Sequence, residues 1–171
     1  MGRTTLTVAT LARRRIFAMM DPDGDGIISA HDYLSRVDRA VHATGRTEDD
    51  PLVVAAREEA HKAWGAMDAN GDGQLTFNEY DAWVGADKFD NICRFALGSL
   101  FDLADADGDG ALDKAQFTAL RTALNNAPGN TGAAFEALDA DGDGRVGRDE
   151  YLAAIRAYVI GDASPMGEAL Y

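Results

Sequence analysis

Four strings in this chain carry oxygen-bearing side chains at alternate positions: DPDGDGIISAHD from Asp21, DANGDGQLTFNE from Asp68, DADGDGALDKAQ from Asp105 and DADGDGRVGRDE from Asp139. In register, position 1 is Asp21, Asp68, Asp105 or Asp139. Position 3 is Asp23, Asn70, Asp107 or Asp141, and position 5 is Asp25, Asp72, Asp109 or Asp143. Alternate residues of a tight loop point to the same side, so each string converges several oxygens on one point. That is the chemistry of a hard divalent cation, which takes roughly 6–8 oxygen ligands. Position 6 is always glycine, where the loop must turn sharply through a positive φ. Position 7 contributes its backbone carbonyl, from Ile27, Gln74, Ala111 or Arg145, and its side chain is predicted to be idle. Position 8 is always aliphatic (Ile28, Leu75, Leu112, Val146), suited to a short buried strand.

This is the EF-hand loop, whose twelfth residue decides the grip. Glu79 and Glu150 end the second and fourth loops and reach across with two oxygens, so both loops are expected to bind Ca²⁺. The first loop ends in Asp32, one methylene shorter. It is expected to be filled, with Asp21, Asp23, Asp25 and Ser29 as further ligands, and to accept Mg²⁺ as well as Ca²⁺. The third loop ends in Gln116, a neutral amide with one oxygen, only partly compensated by Asp113. Asp105, Asp107, Asp109 and the Ala111 carbonyl keep its shape. It is predicted to be weak or empty, retained as the strand partner of loop four.

Such loops need a helix on each side. An aromatic stands four residues before each loop (Phe17, Trp64, Phe101, Phe135) and another immediately after it (Tyr33, Tyr80, Phe117, Tyr151). These predict four helix-loop-helix units facing one core. The spacing predicts helices over 10–20, 30–43, 51–67, 77–87, 91–104 and 148–160, with Asp50-Pro51, Asp90-Asn91 and Asn130 at helix starts. Loop starts lie 47, 37 and 34 residues apart. The fold expected is all-α and compact: four EF-hands in two pairs, with short antiparallel strands joining loop one to two and three to four. Residues 1–88 would form the first pair, 89–160 the second, and 161–171 a tail.

Composition narrows the function. The formal charge of −13 argues against nucleic acid, whose phosphates need basic partners. Fifteen acids sit at ligand-type positions in the loops, and removing them would leave +2, so the acidity belongs to the metal sites rather than to a general surface field. Apolar residues make up 46%, too many for a disordered acidic chain. The single cysteine, Cys93, allows no internal disulfide and fits a reducing compartment. No apolar run reaches the length of a membrane span. The basic cluster Arg13–Arg15 follows the weakly apolar start, the reverse of a secretory signal. A cytoplasmic location is expected.

With the four loops, the stretch RRRIFAMMDPDGDGIISAHDYL and the tail GDASPMGEALY, the chain resembles the sarcoplasmic calcium-binding proteins and their bacterial relative calerythrin. The resemblance implies a compact cytosolic calcium buffer with one or more disabled loops. It also implies a C-terminal segment seated in the cleft, here Pro165, Met166, Leu170 and Tyr171. The alternative is a sensor that opens a Met-rich groove for a protein partner. The five methionines do not form such a surface, and Met19, Met20 and Met67 beside the loops read as core. An enzyme is not expected. Cys93 with His31, His42 or His61 is the one thiol combination, and the loop register already accounts for the acids. Calcium ions are the partners expected, with no nucleic acid and no membrane; a monomer is the default, and an unidentified protein partner is left open.

Overall fold

A computed structural model describes residues 7–125 and 128–162, with the side chains of residues 128 and 129 outside the description. Helix α1 (Val8–Met20) leads into loop one, strand β1 (Ile27–Ser29) and helix α2 (Ala30–Thr44). Helix α3 (Pro51–Met67) leads through loop two to β2 (Gln74–Thr76) and α4 (Phe77–Trp83). A single turn, α5 (Ala86–Lys88), runs through a π-helical turn (Phe89–Cys93) into α6 (Arg94–Ala104). Loop three then gives β3 (Ala111–Leu112) and α7 (Lys114–Ala123), and α8 (Pro128–Leu138) leads through loop four to β4 (Val146–Gly147) and α9 (Arg148–Ile160).

The strands pair as their loops predict. β1 and β2 are antiparallel with Ile28 opposite Leu75, and β3 and β4 with Leu112 opposite Val146. All four of these position-8 side chains are fully buried. They tie each pair of loops into one rigid body, so a change of shape in one loop is felt by its partner.

The flanking aromatics cross over between units. Phe17, before loop one, packs on Tyr80, after loop two, with ring centroids 6.1 Å apart; Trp64, before loop two, packs on Tyr33 at 5.7 Å. The second pair repeats this: Phe101 meets Tyr151 at 5.6 Å and Phe135 meets Phe117 at 5.6 Å. Each incoming helix is thus locked to the partner unit's outgoing helix, as the near two-fold symmetry of a pair requires. Phe101→Ala removes a fully buried ring from this lock. It is expected to lower unfolding stability by roughly 3–5 kcal/mol, measured by urea denaturation with calcium present.

The two halves share one hydrophobic core, with α2 and α3 of the first packed on α6 and α7 of the second. Arginines carry polar ties across this seam. Arg39 donates to the Ala123 carbonyl at 2.8 Å, and Arg46 to the carbonyls of Leu103 (2.8 Å) and Asp102 (3.2 Å) at the C-terminal end of α6. Cations suit that end of a helix, where carbonyls lack intrahelical partners.

Three boundaries differ from expectation. The helix expected over 77–87 stops at Trp83, because Val84 is extended and breaks it. Asp90 and Asn91 do not start a helix: they lie within the continuous helical run from Ala86. Asp90 there pairs with Arg156 of α9 at 2.7 Å, and Asn91 donates back to the Asp87 carbonyl at 2.8 Å. An acidic residue and an amide read locally as a cap, but a distant arginine claims the acid. Asn130 lies inside α8, which starts at Pro128, since proline is pre-organised for the first helical turn. Of the tail expected in the cleft, Pro165, Met166, Leu170 and Tyr171 lie outside the described residues.

Candidate metal centres

Each loop is shaped by the same local bonds. The position-1 carboxylate accepts from the amide of the position-6 glycine: Asp21 from Gly26 (2.9 Å), Asp68 from Gly73 (3.0 Å), Asp105 from Gly110 (2.8 Å) and Asp139 from Gly144 (2.9 Å). Those glycines have φ between 75° and 83°, a backbone that a side chain would strain. The position-5 carboxylates of Asp25, Asp72, Asp109 and Asp143 accept from the position-7 amides at 2.9–3.1 Å. These bonds use one oxygen of each acid and hold the other in place.

Three trios bring carboxylate oxygens within 4.8 Å of one another: Asp21, Asp23 and Asp25; Asp105, Asp107 and Asp109; Asp139, Asp141 and Asp143. In loop two Asn70 takes the middle place, supplying an amide oxygen between Asp68 and Asp72. The second oxygen of the position-1 acid separates the loops. Asp21 Oδ1, Asp68 Oδ1 and Asp139 Oδ1 are buried and have no hydrogen-bond donor. In loop three the corresponding oxygen, Asp105 Oδ1, accepts from the Asp109 amide at 3.3 Å. A buried carboxylate oxygen without a donor costs several kcal/mol unless a cation compensates it. The donor sets of loops one, two and four therefore fit a divalent metal, through Asp21, Asp23, Asp25 and the Ile27 carbonyl; Asp68, Asn70, Asp72 and the Gln74 carbonyl; and Asp139, Asp141, Asp143 and the Arg145 carbonyl.

The position-12 side chains are turned to another task in three loops. Asp32 accepts from the Ser29 amide (3.0 Å), Glu79 from the Thr76 amide (2.9 Å) and Gln116 from the Asp113 amide (3.0 Å). Ser29, Thr76 and Asp113 return the bond as helix N-caps, completing capping boxes. Position 9 thus starts the outgoing helix, a role that spacing alone assigned to the metal. Loop four is different: Gly147 has no side chain to cap with, and α9 begins without a side-chain cap bond. Glu150 Oε1 stands 2.9 Å from where a Cβ of residue 147 would be. Glycine at position 9 is what leaves Glu150 this room. To grip a metal with both oxygens, Asp32 and Glu79 must release a capping box, and Glu150 has none to release.

One side chain expected to be idle is not. Arg145, at position 7 of loop four, reaches across the β3–β4 pair into loop three. Its guanidinium pairs with Asp109, stands 3.9 Å from Asp107 and 3.5 Å from the Ala111 carbonyl. It occupies the oxygen cluster as a resident cation. The Ala111 amide and then Arg145 hold the Asp109 carboxyl below the usual carboxylate range. Burial pushes the Asp105 carboxyl up, and the acids Asp107 and Asp109 beside it add to that. No spacing rule exposes this contact; a basic residue at position 7, opposite a partner loop, is the signal that could have found it.

The histidines His31, His42 and His61 are exposed, whereas Cys93 lines the core, where burial pushes its thiol up to about 12. Among the described residues no helix is long and apolar enough to cross a membrane.

Comparison with known proteins agrees with this geometry. The model of an EF-hand domain pair matches residues 94–156, and that of a single EF hand matches residues 65–82. The chain is 31% identical over 113 residues to "Probable calcium-binding protein CML16" of Oryza sativa subsp. japonica, covering 66% of this chain and 59% of that protein, so it spans less than two thirds of that relative's length. Among solved structures, a Streptomyces coelicolor calcium-binding protein superposes with a TM-score of 0.74 at 29% identity, over 91% of this chain and 99% of that one. The photoprotein n-aequorin shares the fold, with a TM-score of 0.75 at 18% identity over 99% of this chain and 96% of its own.

Proposed function

We propose that this calcium-binding EF-hand chain, similar in sequence and fold to a Streptomyces coelicolor calcium-binding protein, serves as an intracellular calcium buffer of the calerythrin-like, sarcoplasmic calcium-binding kind. Loops one, two and four hold the metal, and loop three is weak or empty. The observation that carries this reading is the set of three buried carboxylate oxygens without donors, Asp21 Oδ1, Asp68 Oδ1 and Asp139 Oδ1, in those three loops and not in loop three. The pairing of Arg145 with Asp109 supports the second half: a cation already neutralises part of the loop-three cluster. Loop one, with the shorter Asp32, exchanges Ca²⁺ for Mg²⁺ most readily, because Mg²⁺ tolerates six-fold coordination by single oxygens.

A non-catalytic role in the cytoplasm belongs to the same reading. The thiol of Cys93 faces the core and the histidines face solvent, which does not assemble a nucleophile with a base. Buffering rather than sensing is supported by the burial of Met20 and Met67 and by the shared core of the two halves. Two measurements test the proposal. Calorimetric Ca²⁺ titration is expected to show three binding events, the weakest in millimolar Mg²⁺ coming from loop one; four equal events would overturn the loop-three assignment. An apolar dye is expected to brighten little when Ca²⁺ is added, and a large rise would favour a sensor.

A further inference from the structure

Loop two is the one loop whose position 3 is an amide, and the residue after that amide is glycine. Asn70-Gly71 is the single Asn-Gly pair in the chain; Asn78 is followed by Glu79, Asn91 by Ile92 and Asn130 by Thr131. The pair matters because an asparagine side chain carries an electrophilic carbonyl carbon, Cγ, that the next residue's backbone nitrogen can reach in a five-membered ring. A side chain on that next residue crowds the ring, and glycine has none.

The structure leaves this pair open to that reaction. Asn70, Gly71 and Asp72 are exposed. Gly71 has a φ of 67°, and among the described residues nothing beyond its chain neighbours lies within 4 Å of where its Cβ would be. Two long bonds tether the Asn70 amide: Oδ1 accepts from the Asp72 amide at 3.2 Å, and Nδ2 donates to Asp72 Oδ2 at 3.4 Å. Both lie at the weak end of the hydrogen-bond range. The Gly71 amide donates to the Asp68 carbonyl at 3.1 Å, a bond within the same turn. An exposed turn held by such bonds opens at little cost.

We propose that Asn70 is a deamidation site controlled by calcium, reactive in the metal-free chain and protected in the loaded one. The nitrogen of Gly71 bonds to Cγ of Asn70, the Cγ–Nδ2 bond breaks, and Nδ2 leaves as ammonia with the amide proton of Gly71. Water, the sole co-reactant, then opens the cyclic imide. Cleavage at Cγ leaves an aspartate, and cleavage at the main-chain carbonyl leaves an isoaspartate, whose backbone runs through the former side chain. Either product adds a negative charge to loop two. The aspartate reproduces the pattern of the other three loops. The isoaspartate lengthens the backbone by a methylene between positions 3 and 4 and shifts Asp72 out of register with Asp68. A cation that takes Asn70 Oδ1 as a ligand fixes the amide between Asp68 and Asp72 and stops the rotation that brings Cγ to the Gly71 nitrogen. Misplacing reacting atoms by about 1 Å costs roughly 100-fold in rate. Time spent without calcium is thereby recorded in the covalent state of loop two. The control rests on the reading that loop two binds calcium.

The test ages the full chain at mildly alkaline pH, in millimolar calcium and in excess chelator, and reads each asparagine by peptide mass spectrometry. In chelator Asn70 is expected to convert while Asn78 and Asn91 stay intact; calcium is expected to slow Asn70 by roughly 10–100-fold. Glu79→Gln, at a calcium concentration that fills the wild type, is expected to return the Asn70 rate to that in chelator. Calorimetric titration of the chain aged in chelator is expected to lose the loop-two event in proportion to its isoaspartate. A synthetic peptide of residues 68–76 gives the rate of the unstructured sequence. Asn70 that stays intact in chelator while the peptide converts overturns the proposal, as do equal rates in chelator and calcium. Calcium titration of Glu79→Gln separates the two readings. A weakened or lost event beside equal rates leaves loop two a calcium site and removes only its control of Asn70; an unchanged titration removes the calcium reading of loop two itself.

Discussion

Removing calcium is expected to lower the midpoint of thermal unfolding by on the order of 20 °C. Each metal that binds only the folded chain stabilises it by about 2.7 kcal/mol when free calcium is a hundredfold above the dissociation constant. Three loops with orphaned carboxylate oxygens give three such contributions, on the order of 8 kcal/mol together. A domain of this size shifts its midpoint by roughly 2–4 °C per kcal/mol. The structure adds a reason for the sign. Without a cation, the acids of loops one and four face one another within 4.8 Å, and a chelator leaves that repulsion uncompensated. Scanning calorimetry in millimolar calcium and in excess chelator makes the comparison. A shift of only a few degrees would mean that fewer than three loops are linked to folding.

The second large effect is the repair of loop three. Two separate defects are visible there: a neutral Gln116 at position 12, and the Arg145 guanidinium on Asp109. Gln116→Glu restores a bidentate carboxylate and is expected to raise loop-three affinity by roughly 10–100-fold, the worth of an interaction with a charged group. Arg145→Ala vacates the cluster and leaves the position-7 carbonyl in place. Its pair with Asp109 is half-exposed, so it is expected to contribute a further factor of about 2–5. The double variant should titrate four calcium ions where the wild type titrates three. Glu150→Gln in loop four is the reverse experiment, with a loss of roughly 10–100-fold expected there. If Arg145→Ala alone left the number of calcium ions and every affinity unchanged even beside Gln116→Glu, the resident cation would have no bearing on loop three.

The two misread helix starts have different causes: Pro128 opens α8 ahead of Asn130, and a distant arginine claims Asp90. Asp90 and Asn130 have the residue types of N-caps, and a cap is recognised by what its side chain bonds. Asp90 bonds Arg156, 66 residues away. Position 9 adds a role that spacing does not show: Ser29, Thr76 and Asp113 accept from the amide three residues on, which makes each of them a helix cap.

What the amino-acid order determined by itself is everything that repeats at short range. The acids at positions 1, 3 and 5, the glycine at 6 and the aliphatic at 8 specify each loop, because their bonds close within a dozen residues. The flanking aromatics and the four-fold repeat specify the pairing, because a single unit leaves its apolar face uncovered. Only the tertiary structure decided which position-1 oxygens go without a donor and that Arg145 reaches an acid 36 residues earlier. The reason is physical: these depend on where charges from distant segments meet in a low-dielectric interior, and no local spacing encodes that distance.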